Sequence, residues 1–241
     1  MKIASTKNTG NVSVKMLVYG PAGSGKTTLA STIGKGCLII SAEGGLLSLS
    51  DFDIDVVDIT KDENGNLLPK EDRLKALKEV YQYLQTDEAR SLYKWIFVDS
   101  ITEISQNMVE ALQKEYPDRK DTIVLYGENS KRMRTIIKGF RDLPHYNIVF
   151  TALSEDDKDE FGRRTKEISM IGKMSQQIAG YLDEVFFLSV DEDDEGNLVR
   201  TLITQPTKSI TAKDRSGKLD RLEDPNLTKI YNKINEGERN V

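Results

Sequence analysis

The clearest chemistry in this chain lies in one short stretch near its start. Gly20-Pro21-Ala22-Gly23-Ser24-Gly25-Lys26-Thr27 fits G-x-x-x-x-G-K-[ST] at every fixed position. Glycines at those places let the backbone curl so that successive N–H groups turn inward around a phosphate. A helix beginning at Lys26 adds its positive N-terminal end. In such a loop, running on to Thr28, Lys26 reaches the β- and γ-phosphates and the Thr27 hydroxyl ligates Mg²⁺. A plain glycine-rich turn before a helix would explain neither Lys26 nor Thr27. A second signal supplies the acid that such a site needs. Trp95-Ile96-Phe97-Val98-Asp99-Ser100 reads as an apolar strand ending in a carboxylate, where Asp99 would accept hydrogen bonds from a metal-bound water. An aspartate there also suits a helix N-cap, a job that Ser100 could take instead.

The elements that position these residues follow from hydrophobic spacing. Short β-branched runs alternate with longer stretches of helical period, which predicts a mostly parallel sheet covered by helices. Strands are expected at 15–19, 37–41, 55–59, 95–98, 147–151, 184–190 and 198–204. Helices are expected after Gly25 and over 71–84, 101–116 and 130–143. In the last of these Met133, Ile136, Ile137 and Phe140 form a buried stripe, and Arg132, Arg134, Lys138 and Arg141 the solvated face. Late in the chain the pattern changes. A Glu160-Phe161-Gly162 turn predicts a hairpin over 158–167, and Asp194-Glu195-Gly196-Asn197 joins two strands as an antiparallel pair. No internal repeat or Pro/Gly/Ser linker divides the chain, so one domain is expected over 13–236, with flexible ends at 1–12 and 237–241.

Composition narrows the classes. The 241 residues carry 34 basic and 39 acidic side chains, a net charge of −5, and 38% are hydrophobic. That composition fits a folded protein. No apolar run approaches the roughly 20 residues of a membrane span, and no signal peptide is apparent, so a soluble cytoplasmic protein is expected. One cysteine, Cys37, and one histidine, His145, argue against disulfides, multi-cysteine metal sites and a Ser-His-Asp triad. Acid gathers at 51–58, 155–160 and 191–195; base gathers at 131–141 and 200–221.

Three further features extend the phosphate loop toward a family. Cys37 to Ser41 leads into Ala42-Glu43-Gly44-Gly45, Val98-Asp99-Ser100 places serine after the acid, and Ala212-Lys213-Asp214-Arg215 carries a late Lys-x-Arg. Together they resemble the RecA/RadA/DnaB ATPase core, above all the compact phage-encoded RecA-like ATPases of recombination and single-strand annealing. The resemblance spans about 15–234. It implies an α/β RecA-like P-loop core, a mostly parallel sheet flanked by helices with antiparallel C-terminal edge strands. It implies ATP and Mg²⁺ as cofactors, and Glu43 as the carboxylate that polarises the attacking water. Lys213 and Arg215 would reach the γ-phosphate of a neighbouring subunit, making the protein a homo-oligomer, ring or filament, with a shared active site. Two positions depart from the family's pattern. Ser41 replaces an aspartate often found two residues before the glutamate. Leu153 stands where the strand 147–152 usually leads to a polar sensor, leaving Thr151 or Ser154 to substitute.

The resemblance also implies single-stranded DNA as a partner, with a single-stranded DNA-binding protein as a further candidate. The host cytoplasm is the expected place of action for a phage protein. The DNA contacts map onto 158–173, where Arg163, Arg164 and Lys166 accompany Phe161, opposed by Asp156, Asp157, Asp159 and Glu160. Two rival readings stand beside this one. A small-molecule kinase needs an arginine-bearing lid and an acceptor pocket near the loop, and neither is visible in the sequence. A regulatory nucleotide switch acting on a protein partner would suit the acidic balance.

Overall fold

The computed structural model describes residues 13–118, 121–158, 161–172 and 174–236. The two end segments, 1–12 and 237–241, and Glu160 of the hairpin turn lie outside them. Six parallel strands form the centre, in the order β3 (Asp55–Asp58), β2 (Cys37–Ser41), β4 (Trp95–Asp99), β5 (Asn147–Lys158), β1 (Lys15–Gly20) and β7 (Glu184–Glu192). Beyond β7 the sheet turns antiparallel, through β8 (Leu198–Ile203) and the two-residue β10 (Leu222–Glu223). Short β9 (Lys213–Asp214) pairs with the start of β7, and β6 (Arg164–Ile168) folds back on the far end of β5. The expected strands are all present, and the turn at 193–197 makes the β7–β8 hairpin, with Asp193 N donating to Asn197 O at 3.0 Å.

Strand period sorts the core onto two faces. Leu17, Tyr19, Leu38, Ile40, Ile96, Val98, Ile148 and Phe150 point one way. They meet α1 (Lys70–Tyr83), α2 (Asp87–Leu92), α3 (Ile101–Glu115), α4 (Thr122–Arg141) and α5 (Met174–Tyr181). Met16, Val18, Ile39, Phe97, Val149 and Phe186 point the other way, under Leu29, Ala30 and α6 (Leu227–Glu236). Burial on both faces explains why the central strands read as continuous apolar runs.

The helices differ from expectation in five places. α4 starts at Thr122 rather than Ser130, because Asp121 caps it by accepting Ile123 N at 2.9 Å. Its buried stripe also runs back through Asn129, whose amide donates to Ser105 Oγ on α3 at 3.0 Å. The short α2 and α5 and the terminal α6 were not expected. α6 carries a legible signal all the same: Asn226 accepts Lys229 N at 3.0 Å, ahead of Leu227, Ile230, Tyr231 and Ile234 at helical spacing. After Gly25 the chain forms a 3-10 helix over Thr27–Thr32, not an α-helix. Ser31 and Thr32 donate back to the carbonyls of Thr28 and Leu29, each at 2.7 Å, which tightens the turn. Gly34, at φ +73°, then ends it. Among the described residues no helix is long and apolar enough to cross a membrane.

Candidate active site

β1 delivers the glycine loop to the C-terminal edge of the parallel sheet, between β5 and β7. A Cβ at Gly20 would come within 2.7 Å of the Leu188 carbonyl, so the chain passes β7 at a distance only glycine allows. Gly23 and Gly25 take φ values of +74° and +98°, the left-handed side that curls the loop. Ser24 Oγ is buried inside it with no hydrogen-bond partner. Lys26 is buried too, and its Nζ donates to the carbonyls of Gly20 at 3.0 Å and Pro21 at 2.8 Å. Burial pushes the Lys26 ammonium below its ordinary pKa, against the pull of Asp99 and Glu43.

Asp99, at the end of β4, gathers the neighbouring hydroxyls. Thr27 Oγ1 donates to its Oδ2 at 2.6 Å, and Thr151 on the intervening β5 donates to its Oδ1. Ser100 takes the capping job, accepting Glu103 N at 3.3 Å at the start of α3, which leaves Asp99 to the loop. The peptide between Asp99 and Ser100 is cis.

Glu43 follows β2. Ser100 Oγ donates to Glu43 Oε1, so the residue after the strand-end acid orients the second carboxylate. Ser41, at the place where an aspartate was expected, accepts Gly44 N at 3.0 Å and fixes the turn behind Glu43. Of the two substitutes for a polar sensor, Thr151 donates to Asp99, while Ser154 stands opposite Ile168 in the β5–β6 ladder. Leu153 lines a cavity of about 410 Å³ with Glu43, Thr60, Lys61, Arg73 and Glu103.

The other expected residues lie elsewhere. Lys213 opens β9 and Arg215 follows it, where the strand pairs with Glu184 and Val185, beside Met16 and Leu17 at the start of β1. That is roughly 10 Å or more along the strand from the glycine loop at about 3.3 Å per residue. Lys213 Nζ donates to the carbonyls of Ala179 at 3.1 Å and Leu182 at 2.7 Å, closing the end of α5. Arg215 pairs with Asp183 at 2.6 Å. In the hairpin, Lys166 pairs with Asp156, the Arg163 guanidinium lies 5.0 Å over the Phe161 ring, and Arg164 stands opposite Lys158. The structure thus brings Lys26, Thr27, Glu43 and Asp99 together and leaves both basic groups apart from them.

One residue near the loop went unread in the sequence. Arg200, on β8, donates from Nε to the Ser24 carbonyl at 3.0 Å, and a Cβ on Gly25 would come within 3.2 Å of the same nitrogen. The basic cluster over 200–221 contained it, but only the sheet order shows that β8 stands two strands from β1.

The model of the AAA_24 family, described as an AAA domain, matches residues 13–216. The chain belongs to that family. The AAA domain so matched holds the glycine loop, both carboxylates and the Lys-x-Arg, while β10 and α6 lie beyond it. No curated protein matches the sequence. Among solved structures the domain is similar to an ATPase from the type III secretion system of pathogenic bacteria, with 14% identity and a TM-score of 0.49. The likeness covers 74% of this chain and 51% of that one, so the chain spans about half of that protein's length.

The residues of this AAA-type P-loop ATPase domain fit a magnesium nucleotide. The loop presents an orphaned Ser24 hydroxyl and a buried ammonium whose present partners are its own loop carbonyls. Thr27 and Asp99 already place a hydroxyl and a carboxylate 2.6 Å apart, the donor types a hard cation takes.

Proposed function

We propose that this domain is a Mg-ATP-dependent ATPase that binds single-stranded DNA and acts in phage recombination or single-strand annealing, with an active site shared between subunits. The observation that carries the ATPase reading is the convergence of Lys26, Thr27, Asp99 and Ser100-oriented Glu43 at one strand edge. Lys26 would exchange the Gly20 and Pro21 carbonyls for phosphate oxygens. Thr27 and Asp99 would hold Mg²⁺, which supplies neutralisation of phosphate charge when bound. Glu43, fixed by Ser100, would orient water at the cavity side of the loop. Support for a shared site is indirect and rests on Arg215, which is exposed and stands too far from its own loop to serve it, whereas Lys213 is engaged by the carbonyls at the end of α5. Support for DNA is the hairpin's exposed Phe161, Arg163 and Arg164.

The test is Mg-ATP hydrolysis against protein concentration, with and without single-stranded DNA, using Lys26→Ala as the blank. Specific activity that rises with both variables supports the reading; turnover flat in both removes its oligomer and DNA parts. An Arg163→Ala/Arg164→Ala variant with unchanged DNA affinity and salt slope removes the hairpin contact. The cavity of about 410 Å³ beside Glu43, with Lys61 and Arg73 in its wall, favours a second reading, phosphoryl transfer to a small acceptor. ADP formed without matching free phosphate would select it.

A further inference from the structure

The proposed function uses the cavity beside Glu43, but a second cavity lies directly against the glycine loop. The second, of about 350 Å³, lies on the β8 side and is lined by Thr28, Ser31, Thr32, Leu188, Arg200 and Pro225 among others. Sheet order separates the two. Glu43 follows β2, three strands from β1 on one side, and Arg200 lies on β8, two strands away on the other. If a triphosphate is seated with its terminal phosphate toward Glu43 and Asp99, the reading on which this inference rests, the nucleoside leaves the loop past Thr28 into the second cavity. That cavity has the size of ordinary small-molecule sites, roughly 300–1,000 Å³.

Its open side-chain hydrogen-bonding capacity rests with Thr28 and Arg200, of which only Arg200 is charged. Ser31 Oγ is spent on the Thr28 carbonyl, and Thr32 Oγ1 on the Leu29 carbonyl while accepting Leu227 N at 3.0 Å. No carboxylate lines the cavity. Arg200 is anchored through Nε on the Ser24 carbonyl, and its two terminal nitrogens form no hydrogen bond or ion pair among the described residues. A planar, always-charged fork, held at one nitrogen and open at two, offers both donors and a flat face. A purine base matches both, with ring-nitrogen acceptors and a wide π-face.

We infer that this cavity is the nucleoside subsite and that Arg200 is its specificity-determining residue, selecting purine over pyrimidine nucleotides. Arg200 is exposed, so its replacement should leave folding intact. The experiment is calorimetric binding of ATP, CTP and inorganic tripolyphosphate, each with Mg²⁺, to the wild type, Arg200→Ala and Arg200→Lys. The wild type should prefer ATP to CTP by about tenfold or more, through stacking of the wider purine ring on the guanidinium face and one donor to a ring nitrogen. Arg200→Ala should lose that preference while binding tripolyphosphate within about twofold of the wild type, because Lys26 and the loop's inward N–H groups remain. Arg200→Lys should behave as Arg200→Ala, since a point charge reproduces neither the fork nor the face. Equal weakening of ATP and tripolyphosphate in Arg200→Ala would mean that Arg200 only shapes the loop, and overturns the inference. So does an ATP preference that survives either substitution. A wild type that binds tripolyphosphate but shows no purine preference overturns the inference alone; one that binds neither ATP nor tripolyphosphate overturns the nucleotide reading with it.

Discussion

The two ends of the parallel sheet each bury lysine, and they use it differently. At the C-terminal ends of the strands, Lys26 donates to carbonyls five and six residues away, within its own glycine loop. At the opposite ends, Lys15 reaches the carbonyls of Leu143 and Tyr146 beyond α4, and Lys213 reaches those of Ala179 and Leu182 at the end of α5. Burial lowers the pKa of all three, that of Lys15 to about 8. A desolvated ammonium is therefore no mark of a ligand site by itself. What separates the ends is the source of the partners. Lys15 and Lys213 tie distant elements together and cannot let go without loosening the fold. Lys26 holds only its own loop, whose carbonyls can turn to water when a phosphate arrives.

That contrast is sharpest for Lys26→Met. Turnover should fall by roughly 10²–10³ or more, as when a transition-state donor is lost. Thermal stability should rise, because an apolar side chain of similar length replaces a desolvated charge. The checks are Mg-ATP hydrolysis and a melting curve on the same preparation. Arg215 is where the contrast could break. If its guanidinium serves a neighbour's γ-phosphate, Arg215→Ala should lower turnover of the assembled protein by about 10³ or more. Its half-exposed pair with Asp183 should contribute no more than about 1 kcal/mol to folding. Turnover that survives, with any loss seen only in stability, would make Arg215 a structural residue like Lys213.

Glu43→Gln probes the functional end more finely. It should lower kcat by about 10² or more while leaving ATP affinity within about twofold, as expected for a group that acts on water. A matching loss of affinity would place Glu43 in ground-state binding instead. Lys213→Met should show the smaller, opposite pattern to Lys26→Met: turnover per assembled subunit kept, and stability lowered by about 1–3 kcal/mol as two carbonyls lose their donor. Urea unfolding of both variants measures the pair directly.

Much of the functional end was legible in the sequence because its chemistry is local. Gly20 to Thr27 is a contiguous loop, and Asp99 ends an unbroken apolar strand. The β-branched runs also placed the strands, since burial on both faces leaves little choice of residue. What escaped depends on contacts between distant positions. Ser24 and Arg200 are 176 residues apart, and nothing in either stretch announces the other. The α4 start was hidden because Asn129 interrupts the apolar stripe, and only Ser105 on another helix makes an amide tolerable there. The 3-10 turn after Lys26 reflects competition by Ser31 and Thr32 for backbone carbonyls, an outcome decided by a few short hydrogen bonds. α6 differs from these, since its cap Asn226 and its stripe Leu227, Ile230, Tyr231 and Ile234 are contiguous in the sequence.

The structural end makes one further prediction, through Glu184. This carboxyl is buried in β7 opposite Asp214, accepts Ser216 N at 3.3 Å on Oε1, and has no partner for Oε2. Burial, then the nearby Asp214 and more weakly Asp183, raises its pKa from 4.5 to about 9. Between those values the native protein keeps a proton that the unfolded chain has released, so stability falls as pH rises and the loss is complete above about 9. Lys15 acts with the opposite sign. Its pKa is lowered from 10.5 to about 8, so from there upward the unfolded chain holds the extra proton and stability rises with pH. The wild-type melting temperature should therefore decline from about pH 5 to pH 8 and flatten beyond, where the two opposing slopes overlap. Glu184→Gln, which keeps the neutral shape at every pH, should remove the decline and leave the rise. A decline that persists in Glu184→Gln would assign it to another group, and a flat wild-type profile would mean that Glu184 is ionised beside Asp214 at neutral pH.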